Sequence, residues 1–87
     1  TVSSLKAVLV GSSSPSVGVN IYFCSNRTSG TGVFTTYQTV TSTTTGHTFS
    51  SSFNDATIPA GSWIWIQTDS TGGTVVQMEL TINFTED

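Results

Sequence analysis

Charge is scarce in this 87-residue sequence: Lys6 and Arg27 are its only cations, His47 its only histidine and Cys24 its only cysteine. Each shortage excludes something. Nucleic-acid affinity comes mainly from phosphates neutralised by Lys and Arg, and two such residues in a chain of net charge −3 cannot supply it. One cysteine forms no disulfide within the chain and suits a reducing compartment better than a secreted disulfide scaffold. One histidine without a Cys/Asp cluster around it makes no metal site, so neither metal nor cofactor is expected. No apolar run approaches the ~20 residues needed to span a bilayer. No basic segment followed by an apolar core opens the chain, so no signal peptide is expected within it. Thr1 fits removal of an initiator methionine before a small residue, or trimming of a longer chain. No stretch of ten residues carries a 3.6-residue period, so no helix is expected.

What is present is Ser, Thr, Asn, Gln and Gly around regularly spaced apolar residues. Apolar residues alternate in Ser4–Val10, through Leu5, Ala7 and Leu9, and in Val17–Cys24, through Val17, Val19, Ile21 and Phe23. Strict alternation marks a strand with one dry face. Gly11 to Pro15 reads as a turn between them. Further strands are expected at Val33–Thr43, around His47–Ser51, at Ser62–Thr68 and at Thr74–Phe84. Pro59 demotes residues 53–61 to a connector or edge, and Asp69–Gly73 reads as a hairpin turn. Polar turns between six to eight short strands predict an all-β fold. The expected architecture is a single small antiparallel β-sandwich, jelly-roll or Ig-like, occupying residues 1–87 as one domain.

A domain of this size buries only about 60–65% of the surface its unfolded chain exposes. The final hairpin is expected to carry the core through Ile64, Ile66, Val76, Met78, Leu80, Ile82 and Phe84, at ~1.5–3 kcal/mol for each buried side chain. With disulfides and metals excluded, oligomerisation or docking remains as a source of extra stability.

Catalytic constellations are weak. Ser/His47/Asp55 or Ser/His47/Asp69 is arithmetically possible, but no nucleophile motif supports it. Asp55 and Asp69 in connectors read as turn aspartates bonding local amides; with Asn54 they lack the spaced acidic loop of a calcium site. Cys24 reads as a small half-buried residue. The expected catalytic set is therefore empty, and the chain is not expected to be an enzyme.

The strand Trp63-Ile64-Trp65-Ile66-Gln67 breaks the one-dry-face rule, because both of its faces are apolar. A small sheet has one core, so one face must meet something else. Each Trp can bury ~150–250 Å², and an exposed pair would approach the ~300–600 Å² of the largest apolar patch usual on a monomer. Trp63, Trp65, Gln67 and Tyr22 are the candidate interface or ligand-stacking residues, with Asn20 as a further polar partner. Trp is enriched at interface hot spots, and paired rings also stack on sugars. Which face of this strand is the core is left open by the pattern.

The step Ala56-Thr57-Ile58-Pro59-Ala60-Gly61-Ser62-Trp63-Ile64-Trp65-Ile66, followed by a Gly turn and an alternating last strand to Ile82-Asn83-Phe84, resembles small β-sandwich accessory proteins of tailed-bacteriophage virions. These are capsid decoration or cement proteins and head- or tail-fibre modules. The resemblance implies a non-enzymatic structural protein made in the host cytoplasm and resident in the virion. Its implied partners are the major capsid protein, other virion proteins or copies of itself, with no nucleic acid and no membrane. The alternative is a carbohydrate- or receptor-binding module using Trp63 and Trp65. A pilin- or adhesin-like subunit ranks lower, for want of a signal and a disulfide.

Overall fold

The computed structural model describes residues 1–86. It is all-β and antiparallel, with five strands joined in one sheet: β1 (Val2–Cys24), β2 (Thr31–Gly32), β3 (Gln38–Val40), β4 (His47–Phe49) and β5 (Trp63–Phe84). β1 pairs with all the others. Along one edge it meets β4 near Leu5, β3 near Gly18 and β2 near Phe23. Along the other it runs beside β5 from Val2↔Phe84 to Cys24↔Trp63.

The strand count falls below the expected six to eight because two predicted pairs of strands are continuous. Residues 11–15 do not end β1, and residues 69–73 do not reverse β5. The two halves of β5 never pair with each other; each pairs with its own half of β1. No final hairpin exists. The glycines and serines read as turns instead build irregularities that bend a two-stranded ribbon.

The bend is required by size. At ~3.3 Å per residue, a straight strand of 23 residues would extend about 75 Å, whereas the molecule measures 40 × 26 × 18 Å. The register breaks between Ser12 and Ser16, where Ser13, Ser14 and Gly73 have φ of 59°, 56° and 61°. A second break leaves Ser70, at φ 42°, as an extra residue on β5. These are bulges, which bend and twist a ribbon.

Folding back brings the two halves of β1 face to face. Leu5, Ala7 and Leu9 from one half join Val17, Val19, Ile21 and Phe23 from the other in a single buried cluster. These are the residues whose alternation predicted the dry faces. The core therefore lies on β1. The expectation that the last segment carries it is corrected: Ile66, Met78, Leu80 and Ile82 only half-bury against the cluster, while Ile64, Val76 and Phe84 are exposed. The cause is position. β5 lies at the rim of the sheet with β1 on one side only. The alternation also slips at Val76. Val10 pairs with Gln77 and Gly11 with Val75, so Val76 is extra and turns outward, 74% exposed, while Val75 packs inward.

The predicted strand at 33–43 shrinks to Gln38–Val40. Val33 and Phe34 are both fully buried although adjacent, because they lie in the connection between β2 and β3. Asn20 holds that connection. Its side chain donates to the Phe34 carbonyl at 3.0 Å and accepts from the Phe34 and Ile21 amides at 3.1 and 2.8 Å. Phe34 then stacks on Phe53, with centroids 5.1 Å apart.

Candidate functional site

Because Ile21 and Phe23 point into the core, Tyr22 and Cys24 point out. The β1–β5 register sets Tyr22 opposite Trp65, Cys24 opposite Trp63 and Asn20 opposite Gln67. On β5 the period of two sends Ile66 to the core and Trp63, Trp65 and Gln67 outward. The question left by the doubly apolar strand is settled in favour of outward tryptophans.

The four candidate residues share this outer face but differ in surroundings. Trp65 is half-buried and stacks on Tyr22, with centroids 6.1 Å apart and planes 17° apart. The Arg27 guanidinium lies 4.2 Å from the centre of the indole, a cation–π distance. Trp65 Nε1 donates to Gln67 Oε1 at 3.3 Å. Residues 25–30 close over the ring because Gly30 lacks a side chain; a Cβ there would sit 2.6 Å from the indole. Trp63 is 64% exposed. The face thus offers one open ring beside one covered ring.

Asn20, read as a further polar partner, is 2% exposed and fully occupied in holding Phe34. Tyr37 and Arg27 were missed. The Tyr22 hydroxyl donates to the Tyr37 hydroxyl at 3.4 Å, and the rings tilt 49° at 6.3 Å. That hydrogen bond, burial and the nearby Tyr37 and Asp69 hydroxyl and carboxylate raise the Tyr22 pKa above its ordinary value. A lone Arg three residues past the end of an aromatic-bearing strand was the available signal for Arg27. Nothing in the sequence marks Tyr37 as a neighbour of Tyr22.

On the inner side, the two ends of the folded ribbon leave an apolar cavity of about 400 Å³. Val2, Ile21, Ile58, Ile64, Ile82 and Phe84 line it. Ile64, Ile82 and Phe84 of this lining come from β5, whose outer edge makes no strand pairing among the described residues.

The catalytic and metal sets that the sequence suggests are not brought together among the described residues. His47 stacks on Phe49 at 4.3 Å and makes no hydrogen bond to a serine or carboxylate among the described residues. Asp55 accepts from the Thr57 amide at 3.2 Å, a local turn. Asn54 donates to the Gly32 carbonyl at 3.1 Å. Among the described residues no three His, Cys, Asp or Glu side chains converge as a metal site. Cys24 is half-buried with its Sγ 3.4 Å from Ser29 Oγ. Hydrogen bonds from Ser29 and then from the Asn26 amide lower its pKa below the ordinary thiol range. No family model, curated protein or solved structure matches the chain.

Proposed function

We propose that this chain is a non-enzymatic structural module of a tailed-phage virion, attached through β5 to the major capsid protein or to further copies of itself. The observation that carries this reading is β5. It is 22 residues long, lies at a free rim of the sheet and has no fully buried residue. Long unpaired edges are sites where another strand adds. Natural edges are blunted with charge and proline, and β5 contains no proline and only Asp69 and Glu79 as charges. Ile64, Val76 and Phe84 keep more than half of their surface in water, and Ile64, Ile82 and Phe84 of the same strand line the apolar cavity. The resemblance of residues 56–66 and 82–84 to virion accessory proteins directs the reading to a capsid or fibre rather than to a generic dimer. In this reading the protein is made in the host cytoplasm and retained in the particle.

The test is light scattering at high micromolar concentration combined with co-sedimentation on empty phage shells. Self-association or shell binding that Ile64→Lys abolishes is the expected result. A stable monomer that sediments with no shell overturns it.

A further inference from the structure

A second concavity, separate from the apolar cavity, lies above Gly18. Gly18 is the centre of a three-strand strip, opposite Asp69 on β5 and Thr39 on β3. Its neighbours Val17 and Val19 point into the core, so Gly18 occupies the opposite, outward parity of the strand. A Cβ there would lie 2.8 Å from the Asp69 carbonyl oxygen and 3.4 Å from the Tyr37 Cβ. Glycine therefore lets β5 and Tyr37 close in on β1, and around this close approach lies an open hollow of about 540 Å³ lined by Gly18, Thr39, Tyr37, Asp69 and Ser70 together with Ser16, Thr35 and Thr36.

Three features distinguish this hollow from ordinary relief. Tyr37 is anchored, because its hydroxyl accepts from Tyr22, which in turn stacks on Trp65. Ser70 is the extra residue of a bulge and holds φ at 42°, a left-handed backbone value unusual outside glycine. Bulges commonly re-aim a neighbouring side chain beside a site, and the neighbour here is Asp69. Asp69 also makes no side-chain hydrogen bond or ion pair within the described residues, so its acceptor capacity is open.

The chemistry selects a ligand class. An anion finds no cation in the walls and one carboxylate to repel it. A divalent cation finds one carboxylate where six to eight oxygens are usual. A purely apolar ligand finds mostly hydroxyls. A polyhydroxylated, uncharged ligand finds the Tyr37 side chain for its C–H surface, a carboxylate able to accept from neighbouring hydroxyls, and several Ser and Thr residues. Charge-assisted O–H···O⁻ bonds are the stronger kind. We propose that the hollow above Gly18 is a binding site for a neutral carbohydrate, with a sugar ring on Tyr37 and adjacent hydroxyls on Asp69. This goes beyond the assembly reading and does not depend on it: Asp69 and Ser70 belong to β5, but none of the residues lining the apolar cavity lines the hollow.

The test is titration of the intact protein with maltohexaose, cellohexaose, chitohexaose, xylohexaose and mannohexaose to millimolar concentration, followed by amide chemical shifts. The expected result is saturable shifts at Gly18, Thr36 and Ser70 with at least one of these sugars, and at least a tenfold loss of affinity in Tyr37→Ala. Asp69→Ala, an exposed substitution that leaves the core intact, should lose affinity similarly and keeps the test valid if Tyr37→Ala fails to fold. Absence of shifts with every sugar, or shifts unaffected by Asp69→Ala, overturns the proposal. So does saturation of the hollow by tetramethylammonium in preference to all five sugars.

Discussion

Trp65 and Tyr22 face each other across β5 and β1 and stack 6.1 Å apart, with the Arg27 guanidinium over the same indole. The pair links the outer surface to the register of the ribbon, because this register sets the two rings directly opposite each other on one side. Aromatic pairs contribute about 0.5–1.5 kcal/mol beyond their area burial. A double-mutant cycle of Tyr22→Ala and Trp65→Ala in urea should return a coupling energy in that range. Additive losses would mean that the stack contributes nothing specific.

Asn20 is the buried polar residue on which the connection from β2 to β3 depends. Replacing it with Leu keeps the branching at Cγ but leaves the Phe34 amide and carbonyl without their partner. Each unsatisfied buried group costs about 1–3 kcal/mol. Asn20→Leu should therefore destabilise by roughly 2–5 kcal/mol. Asn20→Asp should lose less below the carboxylate pKa than above it, since only the protonated acid retains a donor for the Phe34 carbonyl. Chemical denaturation at two pH values checks both.

The alternation of Leu5, Ala7, Leu9 and of Val17, Val19, Ile21, Phe23 made the β1 core legible in advance, because a period of two reports a face directly. The same logic failed on the last segment for two reasons. Alternation tells which residues share a face but not whether anything covers that face, and β5 sits at the rim. One extra residue, Val76, also reverses the phase in mid-strand, and a bulge at a valine has no turn residue to announce it. Gly11–Pro15 and Asp69–Gly73 carry the composition of chain reversals, since Gly, Ser and Pro serve equally for a turn and for a bend in a continuous ribbon. The grouping of Trp63, Trp65, Gln67 and Tyr22 on one face followed from parity. The covering of Trp65 by Arg27 depends on how residues 25–30 fold back, which no local pattern encodes.

Val76 tests the role proposed for β5. At 74% exposure it supports no core contact, so Val76→Lys should leave the melting temperature nearly unchanged; surface substitutions typically stay within about 0.5 kcal/mol. A charge on an edge strand opposes strand addition. Association measured by sedimentation should weaken in Val76→Lys while the circular dichroism spectrum is retained. Unchanged association would remove this half of β5 from the contact.

Tyr22 supplies a pH dependence with a definite sign. Its pKa is raised first by the hydrogen bond to Tyr37 and then by burial, so the folded state favours the neutral phenol. A group whose pKa is raised on folding contributes stability below its unfolded pKa of ~10, and that contribution disappears as pH climbs through the folded value. Stability should decline on the alkaline side and not between pH 5 and 8 on account of this group. In Tyr37→Phe the acceptor is gone, and the Tyr22 titration followed by tyrosinate absorbance should move down toward the ordinary range. An unmoved titration would assign the shift to burial alone.

Gly73 and Gly61 separate backbone strain from the geometry of the bend. Both have positive φ, 61° and 80°, but their surroundings differ. A Cβ on Gly61 meets nothing within 4 Å, whereas one on Gly73 would collide with the Ser13 carbonyl and lie 2.8 Å from the Ser14 carbonyl oxygen. Gly61→Ala should cost only the left-handed backbone penalty, roughly 1–2 kcal/mol. Gly73→Ala bears the same penalty and also forces apart the two strands where the ribbon folds. Overpacking adds about 1–3 kcal/mol, and here the obstacle is backbone rather than a movable side chain. Urea unfolding of the two variants should therefore show Gly73→Ala as clearly the less stable. Equal losses would mean that the bend between Ser12 and Ser16 yields easily, and that the meeting of Val2 and Phe84 with Ile21 and Ile64 rests on the core packing alone.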